Sequence, residues 1–170
     1  MIRTHKIACR LNRALADALN LASGSIYTGV LVAHWRIVRK KGIWLSEKAG
    51  TRLSDSIVDA PMHAHTIDAA QQGFYKACKT TKALKQINSQ AKYPHWPKKF
   101  RTTVWKKTAL KFRNGRLELS NGRCNPNITI DLPAELHHVL SFQECPMPWE
   151  RPSPTMKNLT TRLVVAFGIG

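Results

Sequence analysis

Thirteen Lys or Arg and no acid occupy the stretch from Ala69 to Leu117. A solvated surface normally mixes both signs, so a one-sign run of this length implies a partner bearing many negative charges. Lys76, Lys79, Lys82 and Lys85 follow at steps of three. On a helix they form one slowly rotating strip, about 60° off register at each step. Lys98, Lys99, Arg101, Lys106, Lys107, Lys111, Arg113 and Arg116 continue the run, interleaved with Tyr93, Trp96, Phe100, Trp105 and Phe112. Cations hold phosphates and flat rings stack on unpaired bases, so the combination points to nucleic acid. A plainer reading puts Phe74, Trp105 and Phe112 in the core, because large rings usually supply buried area. That reading is preferred for the rings, and the nucleic-acid reading for the lysines.

His63, His65 and Asp68 are the one dense polar cluster with metal or acid–base potential. His65 and Asp68, three apart, share a helix face. A hydrolytic metal site needs more converging ligands, and no obvious partner exists, so a helix-start or polar-contact role is expected. His137 and His138 carry no stronger signal. No G-x-S-x-G, phosphate-binding glycine loop or H-E-x-x-H is present. Cys9, Cys78, Cys124 and Cys145 lie far apart, without zinc-finger spacing, and read as reduced thiols of a cytoplasmic protein.

The whole chain agrees with an anionic partner. Its 170 residues carry a net charge of +17, and 43% are hydrophobic, enough for a real core. Residues 1–117 hold +18 and residues 118–170 hold −1. Such a field concentrates polyanions and disfavours an enzyme acting on small cations. No apolar run approaches the ~20 residues of a membrane span, and no membrane partner or small-molecule substrate is expected. Arg3, Lys6, Arg10 and Arg13 suggest a transit peptide, but Asp17 and an amphipathic pattern continuing past residue 30 favour an ordinary helix.

Several elements must position these residues. Residues 2–10 read as a short strand. Leu11, Leu15, Leu19, Ala22, Ile26, Val30, His34 and Val38 form the stripe of a long helix, closed by Arg39-Lys40-Lys41 and Gly42. Ser23-Gly24-Ser25 allows a break or bend within it. Ser46-Glu47 caps a shorter helix to about Asp59, and Pro61 separates it from a third. The third stripe is Ile67, Ala70, Phe74, Ala77, Cys78, Thr81 and Leu84. Beyond a proline-bounded basic loop at 93–99, Phe100–Trp105 has strand composition. Asn114-Gly115 marks a hairpin, and Ile128–Leu132 a further strand ended by Pro133. Helices followed by antiparallel strands give an α+β fold. The tail from Cys145, with Pro146, Pro148, Pro152 and Pro154, is irregular.

The order of Thr4–Leu11, His34–Gly42, Ile67–Ala77, Phe100–Trp105 and Asn114–Leu119 resembles the N-terminal half of TnpB (OrfB-type) proteins. These transposon-encoded RNA-guided nucleases are often called transposases, and the resemblance covers residues 2–142. It implies an N-terminal helical recognition lobe inserted into a partial antiparallel β-barrel, the wedge. The expected division is 1–10 for the first wedge strand, 11–88 for the recognition lobe, 89–142 for the wedge and 143–170 for an atypical tail. Expected partners are guide RNA and double-stranded DNA. His65, Thr66 and Asp68 would face the target-adjacent DNA motif, and Arg101, Thr102, Thr103 and Trp105 would approach the same duplex. Lys76, Lys79, Lys98, Lys99, Lys106, Lys107 and Arg113 would neutralise phosphates without reading sequence. Gln is common in the family where Asp68 stands, and an acid near DNA is unfavourable unless it accepts from a cytosine amino group.

The family's RuvC-like domain, with its Asp/Glu/Asp magnesium site and four-cysteine zinc ribbon, has no counterpart in this sequence. The expectation is a truncated or frameshifted product without cofactors, binding nucleic acid but not cutting it. The alternatives are a stand-alone, repressor-like helical DNA-binding protein and a nonfunctional relic.

Overall fold

The computed structural model describes residues 11–55, 60, 62–123 and 125–134. The strand expected at 2–10, the tail from Cys145, and His137 and His138 lie outside them. Among the described residues the order is α1 (Arg13–Lys41), α2 (Glu47–Asp55), α3 (Ala64–Leu84), a 3-10 turn (Lys107–Ala109), β1 (Leu110–Arg113), β2 (Arg116–Leu119) and β3 (Ile128–Asp131). The fold is α+β. Three antiparallel strands in the order β1-β2-β3 form an open meander rather than a closed barrel among the described residues.

The helix ends are locally encoded. Asn12 caps α1 by accepting from the Ala14 N–H at 2.9 Å, and Gly42 ends it in the left-handed conformation at φ 66°, donating to Val38. The α1 stripe is buried as its spacing requires, with Leu19, Ile26, Val30 and His34 inside. The Ser23-Gly24-Ser25 stretch does not break the helix. Instead, Gly24 lets another backbone approach: a Cβ there would meet the Lys99 carbonyl oxygen at 2.3 Å. In α2 the Ser46 hydroxyl accepts from Ala49 N–H at 3.3 Å. At the start of α3 the capping group is His63, whose Nδ1 accepts from His65 N–H. That is the helix-start role expected of this histidine pair.

Phe100–Trp105 is not a strand. Its burial alternates, with Thr103 and Trp105 inside and Thr102 and Val104 outside, so the backbone is extended as its composition suggested. The partner is a helix. Arg101 N–H donates to the Asn20 carbonyl at 3.0 Å, and Thr103 N–H and Oγ1 donate to Asn20 Oδ1 at 3.0 and 3.1 Å. One buried asparagine thus supplies the acceptors a sheet neighbour would have supplied.

Asn114 (φ 49°) and Gly115 (φ 74°) form the two-residue turn between β1 and β2, matching the twist of the flanking strands. Leu117, Leu119, Ile128 and Ile130 point inward to meet Leu19, Ile26, Met62, Ala70, Trp105 and Ala109. Helices and sheet therefore share one core. A second cluster joins Tyr27, Val30, Leu31, Phe74, Tyr75 and Cys78.

Averaged over 18 residues, α1 reaches a mean hydropathy of 1.2, enough by length and composition to cross a membrane. Asn20, Ser23, Gly24 and Thr28 interrupt its apolar runs, so none is long, while no charge falls between Asp17 and Arg36. Of that window, 44% is buried against the rest of the chain. Part of the apolar stripe is therefore used in packing within the chain.

Candidate nucleic-acid interface

The interface is built on the segment at 98–107, laid against α1 and α3. Thr28 Oγ1 accepts from Lys98 N–H at 3.0 Å and donates to the Lys98 carbonyl at 3.2 Å. The clip at Asn20 follows, and Trp105 Nε1 donates to the Ser120 carbonyl at 3.1 Å. As the segment advances, its α1 partners step back from Thr28 to Asn20. Lys98 and Lys99 stay exposed at the pinned end, and Lys107 at the other.

Arg101 is sandwiched. Its guanidinium lies 4.2 Å from the Tyr27 ring centroid, and a Cβ on Gly73 would come within 2.4 Å of it. Gly73 leaves α3 room for the guanidinium where it lies. Burial pushes the Tyr27 phenol up from its ordinary value, with the Arg101 charge opposing. Arg101 thus joins the two helices, and Lys76 projects exposed one turn beyond Gly73.

The candidate contacts separate by burial. Lys76, Lys79, Lys98, Lys99, Thr102, Lys107 and Arg113 are exposed, and His65 is exposed beside His63. Thr66, Thr103 and Trp105 are not available to a duplex, being 1%, 0% and 4% exposed. This corrects the expectation that they approach DNA: they fill the core, and Thr103 and Trp105 spend their donors on Asn20 and Ser120. Lys106 is half-buried and bonded to the Asp68 carboxylate, which also accepts from Gln72 Nε2 at 3.0 Å. The acid that looked unfavourable near DNA therefore has its charge met within the chain, and Lys106 is occupied by it.

Lys79 pairs with Glu47 at 3.3 Å and Arg116 with Asp131 at 2.8 Å, both exposed. Such pairs are weak and exchange readily for a phosphate. Lys76, Lys82, Lys98, Lys107, Lys111 and Arg113 have no ion pair among the described residues. Arg113 stands directly across from Arg116 in the ladder, a like-charge pairing that a bound anion relieves. Of the rings, Phe74 and Trp105 are core, as preferred, and Phe112 is half-buried against it. Trp96 is 70% exposed and Phe100 43%.

Two features escaped the sequence reading. His34, counted only as a stripe position, is fully buried among Trp35, Trp44, Phe74 and Tyr75, with its Nδ1 3.4 Å from the Tyr75 hydroxyl. Burial lowers the His34 pKa and pushes the Tyr75 phenol up to about 12. The second feature is a cavity of about 710 Å³ between α1 and residues 85–97. Its sequence signal was the proline-bounded basic loop at 93–99, which carries Tyr93 and Trp96.

Among the described residues no group of three His, Cys, Asp or Glu is placed to hold a metal ion. Burial pushes the Cys78 thiol up to about 11, which keeps it protonated and unreactive. Compared with known proteins, the chain matches no family model and no curated sequence.

Proposed function

We propose that the protein binds nucleic acid through Lys76, Lys82, Lys98, Lys99, Lys107, Lys111 and Arg113. The observation that carries this reading is an acid-free run whose lysines and arginines are largely exposed, several without a carboxylate partner among the described residues. The resemblance to TnpB proteins supplies the finer reading. The chain acts as a recognition-and-wedge unit in the cytoplasm, holding guide RNA and target-adjacent double-stranded DNA without cutting either.

Fluorescence anisotropy with a labelled RNA and a labelled DNA duplex of about 20 units tests both levels. Seven phosphate contacts, one for each named cation, give a log–log salt slope of about −6.3 on the duplex and about −4.9 on single-stranded RNA. Binding that stays flat between about 50 and 200 mM salt rejects the reading. The duplex is expected to remain intact after incubation with magnesium, and cleavage would reject the binding-only assignment.

A further inference from the structure

The cavity between the C-terminal half of α1 and residues 85–97 has the chemistry of a nucleotide slot. At about 710 Å³ it lies within the range of small-ligand sites, ~300–1,000 Å³. Leu31 and Val32 give it an apolar wall, and Trp35, Tyr93 and Pro97 give it flat ones. Arg39, Lys85, Lys92 and His95 also line it, with Ser89 and Gln90 as neutral polar groups and no carboxylate. An apolar peptide would leave these cations unanswered, whereas a nucleotide matches both halves: its base lies on rings and its phosphate meets cations.

The rings are held in place before any ligand arrives. Trp35 Nε1 donates to the Pro94 carbonyl at 2.7 Å, fixing the indole to the loop. Tyr93 packs 5.0 Å from Trp44 and 6.5 Å from Trp35, centroid to centroid, with the Lys85 ammonium 4.8 Å from its own centroid. The Lys85 ammonium covers that ring face, so a stacking base takes the place of the cation, and the displaced charge lies beside the ring where a phosphate can meet it.

We infer that this slot takes an unpaired nucleotide of a single strand, its base stacked against Tyr93 and Trp35 and its phosphate held by Lys85, Lys92 and Arg39. The inference rests on the nucleic-acid reading above and adds to it a site that recognises bases as well as charge. A paired base cannot enter, because its faces are already covered by its neighbours in the stack.

The test compares an intact oligouridine with an abasic strand of equal length and phosphate number, measured by anisotropy on the full chain. The intact strand should bind about tenfold more tightly, the scale of stacking one base on an aromatic ring. Tyr93→Leu should erase that preference while leaving abasic binding unchanged. Lys111→Ala, on the hairpin, should weaken both strands equally. Equal wild-type affinity for the two strands overturns the slot, and that comparison decides even if Tyr93→Leu does not fold. Displacement of the intact strand to the abasic level by micromolar AMP would overturn the strand assignment in favour of a free nucleotide. Loss of salt-dependent binding to every strand would instead overturn the nucleic-acid reading itself.

Discussion

His34 sits where an apolar side chain would be expected, fully buried in a box of four rings, with its Nε2 lacking a hydrogen-bond partner among the described residues. Burial favours the neutral ring, so its folded pKa lies below the unfolded value of about 6.5. The unfolded chain then binds a proton that the folded one refuses. Stability from this site is complete above about pH 6.5, and it falls as pH drops through that value toward the folded pKa. The slope is at most about 1.4 kcal/mol per pH unit, the limit for one proton. His34→Phe should flatten it. Urea unfolding midpoints at about pH 7.5 and about pH 5 for both proteins check this, and parallel losses would contradict it. The stripe position was legible from spacing; the titratable character of the box was not, because Trp44 and Tyr75 reach His34 only through the tertiary fold.

At the scale of elements, the glycines of α1 and α3 set how closely the extended segment can lie. Alanine normally stabilises a helix interior by about 1 kcal/mol over glycine. At Gly24 the sign reverses, because an added Cβ would meet the carbonyl oxygens of both Lys98 and Lys99, and backbone cannot swing aside. Gly24→Ala should therefore lower the thermal midpoint and weaken RNA binding together, since Lys98 and Lys99 lose their footing. A variant that is more stable and binds as before would contradict the packing. The end of α1 and the hairpin were readable because Gly42 and Asn114-Gly115 act on their own neighbours. Phe100–Trp105 was misread for the opposite reason. Alternating Thr, Val and Trp says that one face is buried, but not whether a strand or Asn20 answers the backbone. Thr66 and Thr103 were expected to face DNA only because the TnpB resemblance implied it, and tertiary packing makes them interior.

Over the whole molecule, charge decides more than shape. The excess is concentrated in residues 1–117, and what the sequence could not display is how three of those cations find distant acids. Asp68, Glu47 and Asp131 meet Lys106, Lys79 and Arg116. Arg113 keeps its charge beside a second arginine, so Arg113→Ala should reduce the salt slope of duplex binding by about 0.9, one phosphate contact. Asp68→Asn, by releasing Lys106, should increase the slope instead. Slopes unchanged in both variants would place the bound phosphates elsewhere.

The bond from Thr103 to Asn20 spans 83 residues. Closing so long a loop is entropically costly before any packing compensates, so the search for this contact should govern how fast the chain folds. During synthesis, α1 and α3 leave the ribosome with their inner faces still uncovered by the segment that later lies across them. Until residues 98–105 emerge and are clipped to Thr28 and Asn20, the nascent helices remain open to chaperones and to the RNA around them.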